Sequence, residues 1–504
     1  MSKVKKNILA NLVGNVWTGL MSLAFVPLYI HFMGIEAYGL MGVFSALLGF
    51  FALFDMGLSS TLNREVARLS VKKDKAQEMC DLVRTLEIPY WGFGILVAVL
   101  VILASPVIGF HWVKVKALSP QTVRLAVMLM GLSIAFQWPI AFYSGGLMGL
   151  QRQVLLNGIN MVVATFRGFG AVLVLWLVSA TVEAFFIWQI LIVAVQVSLL
   201  AYFLWKSLPP APARPRYRPE LLKNIWRFAA GMTTLAVTAT ILRQTDKIIL
   251  SRLLTLEQFG YYSLASVGAM TLFRILGPIF ESIYPQFTRL VESKDDAGVI
   301  SLYHKSAQLV SALILSSALV ISMFSRDLLL LWTRSPLTAN NAHLVMSILM
   351  MGTALNCVIH VPYALQIAHG WTKLAFAVDS VSILLLVPLM ILLTRWFGAP
   401  GAAWVWVLLN LGYVFVSVPI MHRRLIKDEK WAWYFQDLGP PLLVAVGMVL
   451  VGRLLISDAW PPFVLAASIG MLGLVTLVAS ACACNRLGAV AAMKSLVARM
   501  KSYA

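Results

Sequence analysis

The sequence predicts an all-α membrane protein that crosses the bilayer many times. Three observations carry this. Apolar runs of about 20 residues recur from end to end, each long enough to cross a hydrocarbon core of about 30 Å. Of 504 residues, 60% are hydrophobic and 12% charged, with a mean hydropathy of +0.84; a soluble chain of this length would carry charged domain surfaces. The basic residues gather in alternate connections. In hydrocarbon every backbone polar group needs an internal partner, so the runs must be helices.

About fourteen spans are expected, at roughly 10–31, 38–62, 84–110, 122–146, 154–178, 181–205, 224–250, 258–287, 302–325, 342–367, 373–395, 399–421, 433–456 and 461–484. The first run is too long for a signal-peptide core and reads as a retained span. With the N-terminus inside, 28 of the 40 Lys and Arg fall in cytoplasmic segments and eight outside, which sets both termini in the cytoplasm. The net charge of +19 is then topological. Its expected partners are anionic lipid headgroups rather than nucleic acid.

The four cysteines, Cys80, Cys357, Cys482 and Cys484, are too dispersed for a disulfide framework. No Walker loop, dinucleotide-binding glycine motif or zinc signature occurs. No metal and no cofactor is expected, and energy for movement must come from an ion gradient (H+ or Na+), the membrane potential or the substrate. The longest polar segments, 63–83 and 206–223, are both cytoplasmic; the second, rich in Pro and Arg, reads as a stiff linker rather than a packed element.

The chain is an internal duplication. One ungapped register sets Glu36 on Glu257, Tyr38 on Phe259, Gly39 on Gly260, Arg68 on Arg289, Lys73 on Lys294 and Asp74 on Asp295. The repeats begin six spans apart, so both halves face the same way, giving a parallel repeat. The expected organisation is a lobe at 1–207, a cytoplasmic linker at 208–223, a second lobe at 224–425, and two extra spans with a cytoplasmic tail at 426–504. Two six-helix lobes around a central cavity suit alternating access.

Charges inside the spans mark candidate sites, since each costs at least about 2.5 kcal/mol at mid-bilayer on insertion scales. Arg167, Arg243, Lys247 and Arg274 are the bases; Asp55, Asp246, Glu281 and Asp379 are the acids. Arg243, Asp246 and Lys247 share one helix face and read either as a snorkelling interfacial group or as a cavity cluster. Arg274 and Glu281, on one face of their span, read either as a static pair or as an anion site, for which guanidinium is suited. Arg167, beside Gly168 and Gly170, fits packing and function equally. Asp55 fits ion coupling or a helix cap ahead of Gly57.

The stretches "GIEAYGLMGVFSALLGFFALFDMGLSSTLNREVARL" (34–69) and "RQTDKIILSRLLTLEQFGYYSLA" (243–265) resemble the paired blocks of the Wzx-type polysaccharide transporters. These are O-antigen and exopolysaccharide flippases of the multidrug/oligosaccharidyl-lipid/polysaccharide exporter superfamily. The resemblance covers about 1–425 in pattern. It implies a transporter, not an enzyme, that moves an undecaprenyl-pyrophosphate-linked oligosaccharide to the outer leaflet of the bacterial inner membrane. It implies Arg274, Arg243, Arg167 and Lys247 for the pyrophosphate and Asp55, Asp246 and Glu281 for ion coupling or gating. Arg64, Arg68, Arg289 and Asp379 would mark the cytoplasmic gate, and polysaccharide polymerases or ligases would be partners. The extra pair of spans is similar to that of peptidoglycan-precursor flippases, which stand as an alternative, as do drug or cation exporters of the same superfamily. A membrane-embedded glycan polymerase fits poorly, since no outer loop is long enough to carry a set of catalytic groups.

Overall fold

The computed structural model describes residues 3–55, 57–221, 242 and 244–487. They are helical nearly throughout, and their β pairing is a single bridge between Lys114 and Thr255. Arg243, most of the seventh predicted span and the tail from 488 lie outside them.

Eleven stretches among the described residues are long and apolar enough to cross a membrane. They account for most of the predicted spans once two glycines are taken into account. The first span is α1 (Lys3–Ala24), and it runs on through Phe25 into α2 (Val26–Phe51), because Tyr29 N still donates to Phe25 O at 3.0 Å. The second span begins only after Gly34, at φ 83°, a conformation that strains any residue with a Cβ. The eleventh and twelfth are likewise divided inside one 41-residue helix, Thr372–Gly412, by Gly398 at φ 64°. Each of these connections is one glycine wide.

The inner polar segment expected at 63–83 is mostly helix. α3 (Leu58–Ser70) and α4 (Ala76–Val107) leave only 71–75 between them. Hydropathy marks the part of a helix that sits in lipid. α3 continues past it as an amphipathic rod, with Leu62, Val66 and Leu69 buried and Arg64 and Arg68 exposed.

The rest of the first six spans are α5 (Pro120–Gly149), α6 (Gln153–Leu177) and α7 (Val182–Ser207). The Pro-rich stretch after α7 has no regular structure, but it is packed. Gln77, Asp81 and Thr85, four apart on α4, accept the backbone N–H groups of Ala213 (2.9 Å), Arg216 (2.8 Å) and Arg218 (2.9 Å). Asp81 is fully buried, with the Arg218 Nε 2.8 Å away. Proline removes the donors that a helix or sheet would need, so side chains on α4 hold the segment instead.

The chain divides into two compact units, Met1–Gly260 and Tyr261–Ala504. The division falls inside α8 (Leu256–Ala269), because the start of α8 packs on the first unit. Leu256 N donates to Lys114 O at 2.8 Å, and Lys116 Nζ lies 3.0 Å from Glu257. A Cβ on Gly39 would overlap the Leu256 carbonyl, and one on Gly260 the Ile35 carbonyl. Ile35 and Leu256 are themselves counterparts in the repeat register, so the duplication is visible as a reciprocal backbone contact.

In the second unit α9 (Thr271–Glu292), α10 (Asp296–Met323), α11 (Ser325–Thr333), α12 (Pro336–Val358) and α13 (His360–Ala368) precede the long Gly398-divided helix, α14, and α15 (Val418–Leu425). The two extra spans include α16 (Gly439–Leu455) and α17 (Pro462–Ala483), which pack on α10. A polar seam fixes them there. His304, buried on α10, sets Nδ1 2.5 Å from Asp437 and Nε2 2.9 Å from Glu429. Gln308, one turn on, donates to Asp437 (3.0 Å) and Asn485 (2.8 Å), and Ser316 donates to Ser480 (2.9 Å).

Candidate functional site

In each unit the second span of the repeat is interrupted, and predicted site residues lie in the interruption or on the helix that follows it. In the first unit α2 gives way to a 3-10 turn, Ala52–Asp55, and α3 restarts after Gly57, at φ 71°. Asp55 sits in this break. It accepts the Ser59 hydroxyl at 2.8 Å and the Tyr90 hydroxyl. Aromatic rings wall it: Phe54 on Phe93 (5.5 Å between centroids), Phe93 on Trp138 (4.8 Å) and Tyr90 on Phe142 (4.8 Å). A half-buried carboxylate is thus held by hydroxyls in an apolar frame.

In the second unit α8 stops at Ala269 and α9 restarts at Thr271. Leu272, Leu276, Ile283 and Phe287 bury one face of α9. Arg274, Glu281, Ser282, Gln286 and Arg289 are exposed. The stretch Leu256–Glu292 is apolar enough to span a membrane, yet hydrocarbon does not solvate such a face. The face must therefore meet water or a polar ligand.

The other predicted residues fall elsewhere. Arg167, half-buried on α6, donates to Gln196 at 2.7 Å, and Gln196 donates to Asn160 at 3.1 Å. Gly168 and Gly170 beside it admit the rings of Phe25 and Trp188. Lys247 reaches Gln244 on its own helix at 3.4 Å, and Asp246 is half-buried beside it. Arg64 and Arg68 both meet Glu65, at 3.3 and 2.7 Å. Asp379 accepts the Tyr413 hydroxyl at 3.2 Å. Asp55, Arg167, Asp246 and Lys247 belong to the first unit, and Arg274, Glu281, Arg289 and Asp379 to the second.

Several ionisable anchors escape a hydropathy reading. Glu36 is buried and accepts the backbone N–H groups of Lys116, Ala117 and Leu118 at 2.6, 2.7 and 3.2 Å. Glu87, also buried, accepts from Tyr143 (2.7 Å), Trp205 (3.1 Å) and Arg84 (2.8 Å). Asp81, His304 and Asp437 complete the set. Glu36 was visible as half of a repeated pair; the others stood in or near segments that read as polar loops or span ends. Among the described residues no group of three or more His, Cys, Asp or Glu could hold a metal ion, and all four cysteines are free.

Many apolar helices, one of them with a charged exposed face, mark a multi-pass membrane protein. Known folds agree. The chain superposes on the lipid II flippase MurJ in an inward-closed conformation with a TM-score of 0.64, at 13% identity, covering 94% of this chain and 97% of that one. A multidrug resistance MATE family transporter of the MOP superfamily, inward-facing, gives 0.63 at 14% identity over 83% and 94%. The Vibrio cholerae MATE transporter VcmN gives 0.56 at 16% over 86% and 99%. In sequence, a Shigella flexneri protein named as a candidate O-antigen transporter is 20% identical over 402 residues, which are 80% of this chain and 93% of that protein.

Residues 4–291 match the family described as "Polysaccharide biosynthesis protein", and the chain belongs to that family. It is a transporter and not an enzyme.

Proposed function

We propose that the protein flips an oligosaccharide linked to undecaprenyl pyrophosphate from the cytoplasmic to the periplasmic leaflet of the bacterial inner membrane, by alternating access, for O-antigen or exopolysaccharide synthesis. The observation that carries the reading is the exposed polar face of α9, with Arg274 and Glu281 within a candidate span. A pyrophosphate cannot enter hydrocarbon unaided, and a fixed guanidinium replaces its lost hydration. Arg274 is the principal anion contact, and Arg243, Arg167 and Lys247 are further candidates for that role. Asp55, Asp246 and Glu281 couple transport to H+ or Na+ or gate it. Arg64, Arg68, Arg289 and Asp379 serve the cytoplasmic mouth. Both termini are cytoplasmic, anionic lipids meet the basic loops, and a polymerase or ligase receives the product. A membrane potential positive outside favours outward anion movement by about 2.3 kcal/mol per charge per 100 mV.

A second reading, a peptidoglycan-precursor flippase, draws support from the 94% of this chain that the MurJ fold covers. Both readings use a polyprenyl pyrophosphate and differ in the glycan. Deleting the gene separates them: lipid-linked O-antigen or exopolysaccharide units trapped on the cytoplasmic leaflet support the first reading, and trapped peptidoglycan precursor the second. Accumulation of neither sinks both.

A further inference from the structure

Helices α9 and α13 build a feature that anion binding does not use. The ring of Phe280 lies 6.2 Å from that of Tyr284, with planes 6° apart, and 6.4 Å from that of Tyr363, with planes 21° apart. His360 stands edge-on to Phe273 and Phe280, 5.8 Å from each, and its Nδ1 is held 2.8 Å from the Asn356 carbonyl. Tyr363 is 38% exposed, and Phe280 and Tyr284 are half-buried. At Gly277, between Phe273 and Phe280 on α9, a Cβ would meet nothing within 4 Å.

Two simpler roles fit badly. Rings that serve only packing are buried, as Phe142 and Phe186 of the first unit are, each at 0% exposure. Rings that face lipid are not flanked by Glu281, Ser282 and Gln286, all exposed on the same helix. The repeat does not require them either, since its register puts Ser59 and Asn63 where Phe280 and Tyr284 stand.

Accessible aromatic faces next to carboxylate, hydroxyl and amide groups suit a pyranose. Its C–H face packs on the rings, and its hydroxyls, costly to bury unpaired, find acceptors and donors alongside. We infer that Phe280, Tyr284 and Tyr363 form a sugar-stacking platform. Phe280 and Tyr284 lie beyond Arg274 on the same helix, roughly 9 to 15 Å along it at a rise of about 1.5 Å per residue. That reach fits the one or two saccharides nearest the pyrophosphate. The inference rests on the flippase reading above.

The test is equilibrium binding to the full chain in lipid nanodiscs. One ligand is undecaprenyl pyrophosphate carrying a single N-acetylhexosamine; the other is the bare pyrophosphate lipid. The wild type should prefer the sugar-bearing lipid. Tyr363→Leu and Phe280→Leu, which keep apolar bulk and remove the ring, should lose about three- to tenfold of that preference with bare-lipid binding unchanged. Tyr363→Phe should retain it. A preference that survives both Leu variants overturns the platform, as does a wild type that binds the two lipids equally. A wild type that binds neither lipid overturns the flippase reading and the platform together.

Discussion

The interrupted spans of the two units began as the same sequence and now do different things. In the first unit the break holds Asp55, whose oxygens face Ser59 and Tyr90. In the second, the residue aligned with Asp55 is Leu276, 2% exposed, and Arg274 aligns with Leu53. One break keeps an acid within a hydroxyl and aromatic frame; the helix that follows the other turns a base toward solvent. The repeat register keeps neither charge, so the repeated pattern does not require them; we propose that the asymmetry belongs to function.

The largest expected effect follows from that. Arg274→Ala should insert and fold normally but lose glycan export, in a strain where this is the sole route, by at least tenfold; loss of one guanidinium–phosphate interaction of about 1.5–3 kcal/mol sets that scale. Arg274→Lys should fall between, since ammonium lacks the bidentate fork. Leu53→Arg should not rescue Arg274→Ala if the two breaks differ in role. Normal export by Arg274→Ala, or rescue from the other unit, would erase the contrast.

A second pair of counterparts in the repeat register is Glu87 on α4 and Gln308 on α10. Each is buried at the centre of a polar seam. Glu87 ties α4 to Tyr143 on α5 and Trp205 on α7. Gln308 with His304 ties α10 to the two extra spans. One position thus anchors six-span packing in the first unit and the added spans in the second. Leaving a buried hydrogen-bonding group without its partner costs about 1–3 kcal/mol, and His304→Ala strands two carboxylates at once, so it should lower the unfolding free energy of the second unit by roughly 2–6 kcal/mol. Glu87→Gln keeps the shape and should cost about 1–3 kcal/mol. Thermal melts in detergent should rank them so, and a reversed order would mean that the extra spans are held by lipid-facing packing instead.

Asp55→Asn probes the first break alone. Stability should change little, because the amide keeps an acceptor for Ser59 or Tyr90, while transport in vesicles should stop responding to the ion gradient. Unchanged gradient dependence would remove Asp55 as the coupler and leave it as a brace.

These contrasts also show what was legible beforehand. Apolar runs located most of the spans, because crossing hydrocarbon fixes length and composition together. The repeat at Gly39 and Gly260 was readable as a pattern, and its cause, two backbones in reciprocal contact, required coordinates. Gly34 and Gly398 fall in the gaps expected at 32–37 and 396–398, but the sequence does not reveal that each turn is a single residue wide. Asp81, Glu87, His304 and Asp437 were hidden for a different reason. They sit where polar sequence is ordinary, at span ends, and burial there comes from tertiary partners far along the chain. Arg274 stood out in sequence by depth, while its aromatic neighbours did not, since Phe and Tyr in an apolar helix carry no signal until their exposure is known.

The smallest expected effect concerns the second unit's Arg453, a residue outside both seams. Its guanidinium meets Asp458 through two hydrogen bonds, at 2.5 and 3.0 Å, and lies 3.5 Å from Asp327. The hydrogen bond and then the charge of Arg453 hold the Asp458 carboxyl below its ordinary range, whereas burial, and then the charge of Asp458, push Asp327 above it. The signs oppose. A depressed carboxyl contributes stability that is present above its unfolded value, about 3.9, and is lost as pH falls through its folded value. A raised one gains stability as pH falls from its folded value toward the unfolded one. In the wild type the two partly offset on acidification. Asp327→Asn removes the compensating half, so its melting temperature should fall more steeply than the wild type's from pH 6 to pH 3, even if it starts higher. Parallel curves for the two proteins would show that Asp327 does not titrate in this window.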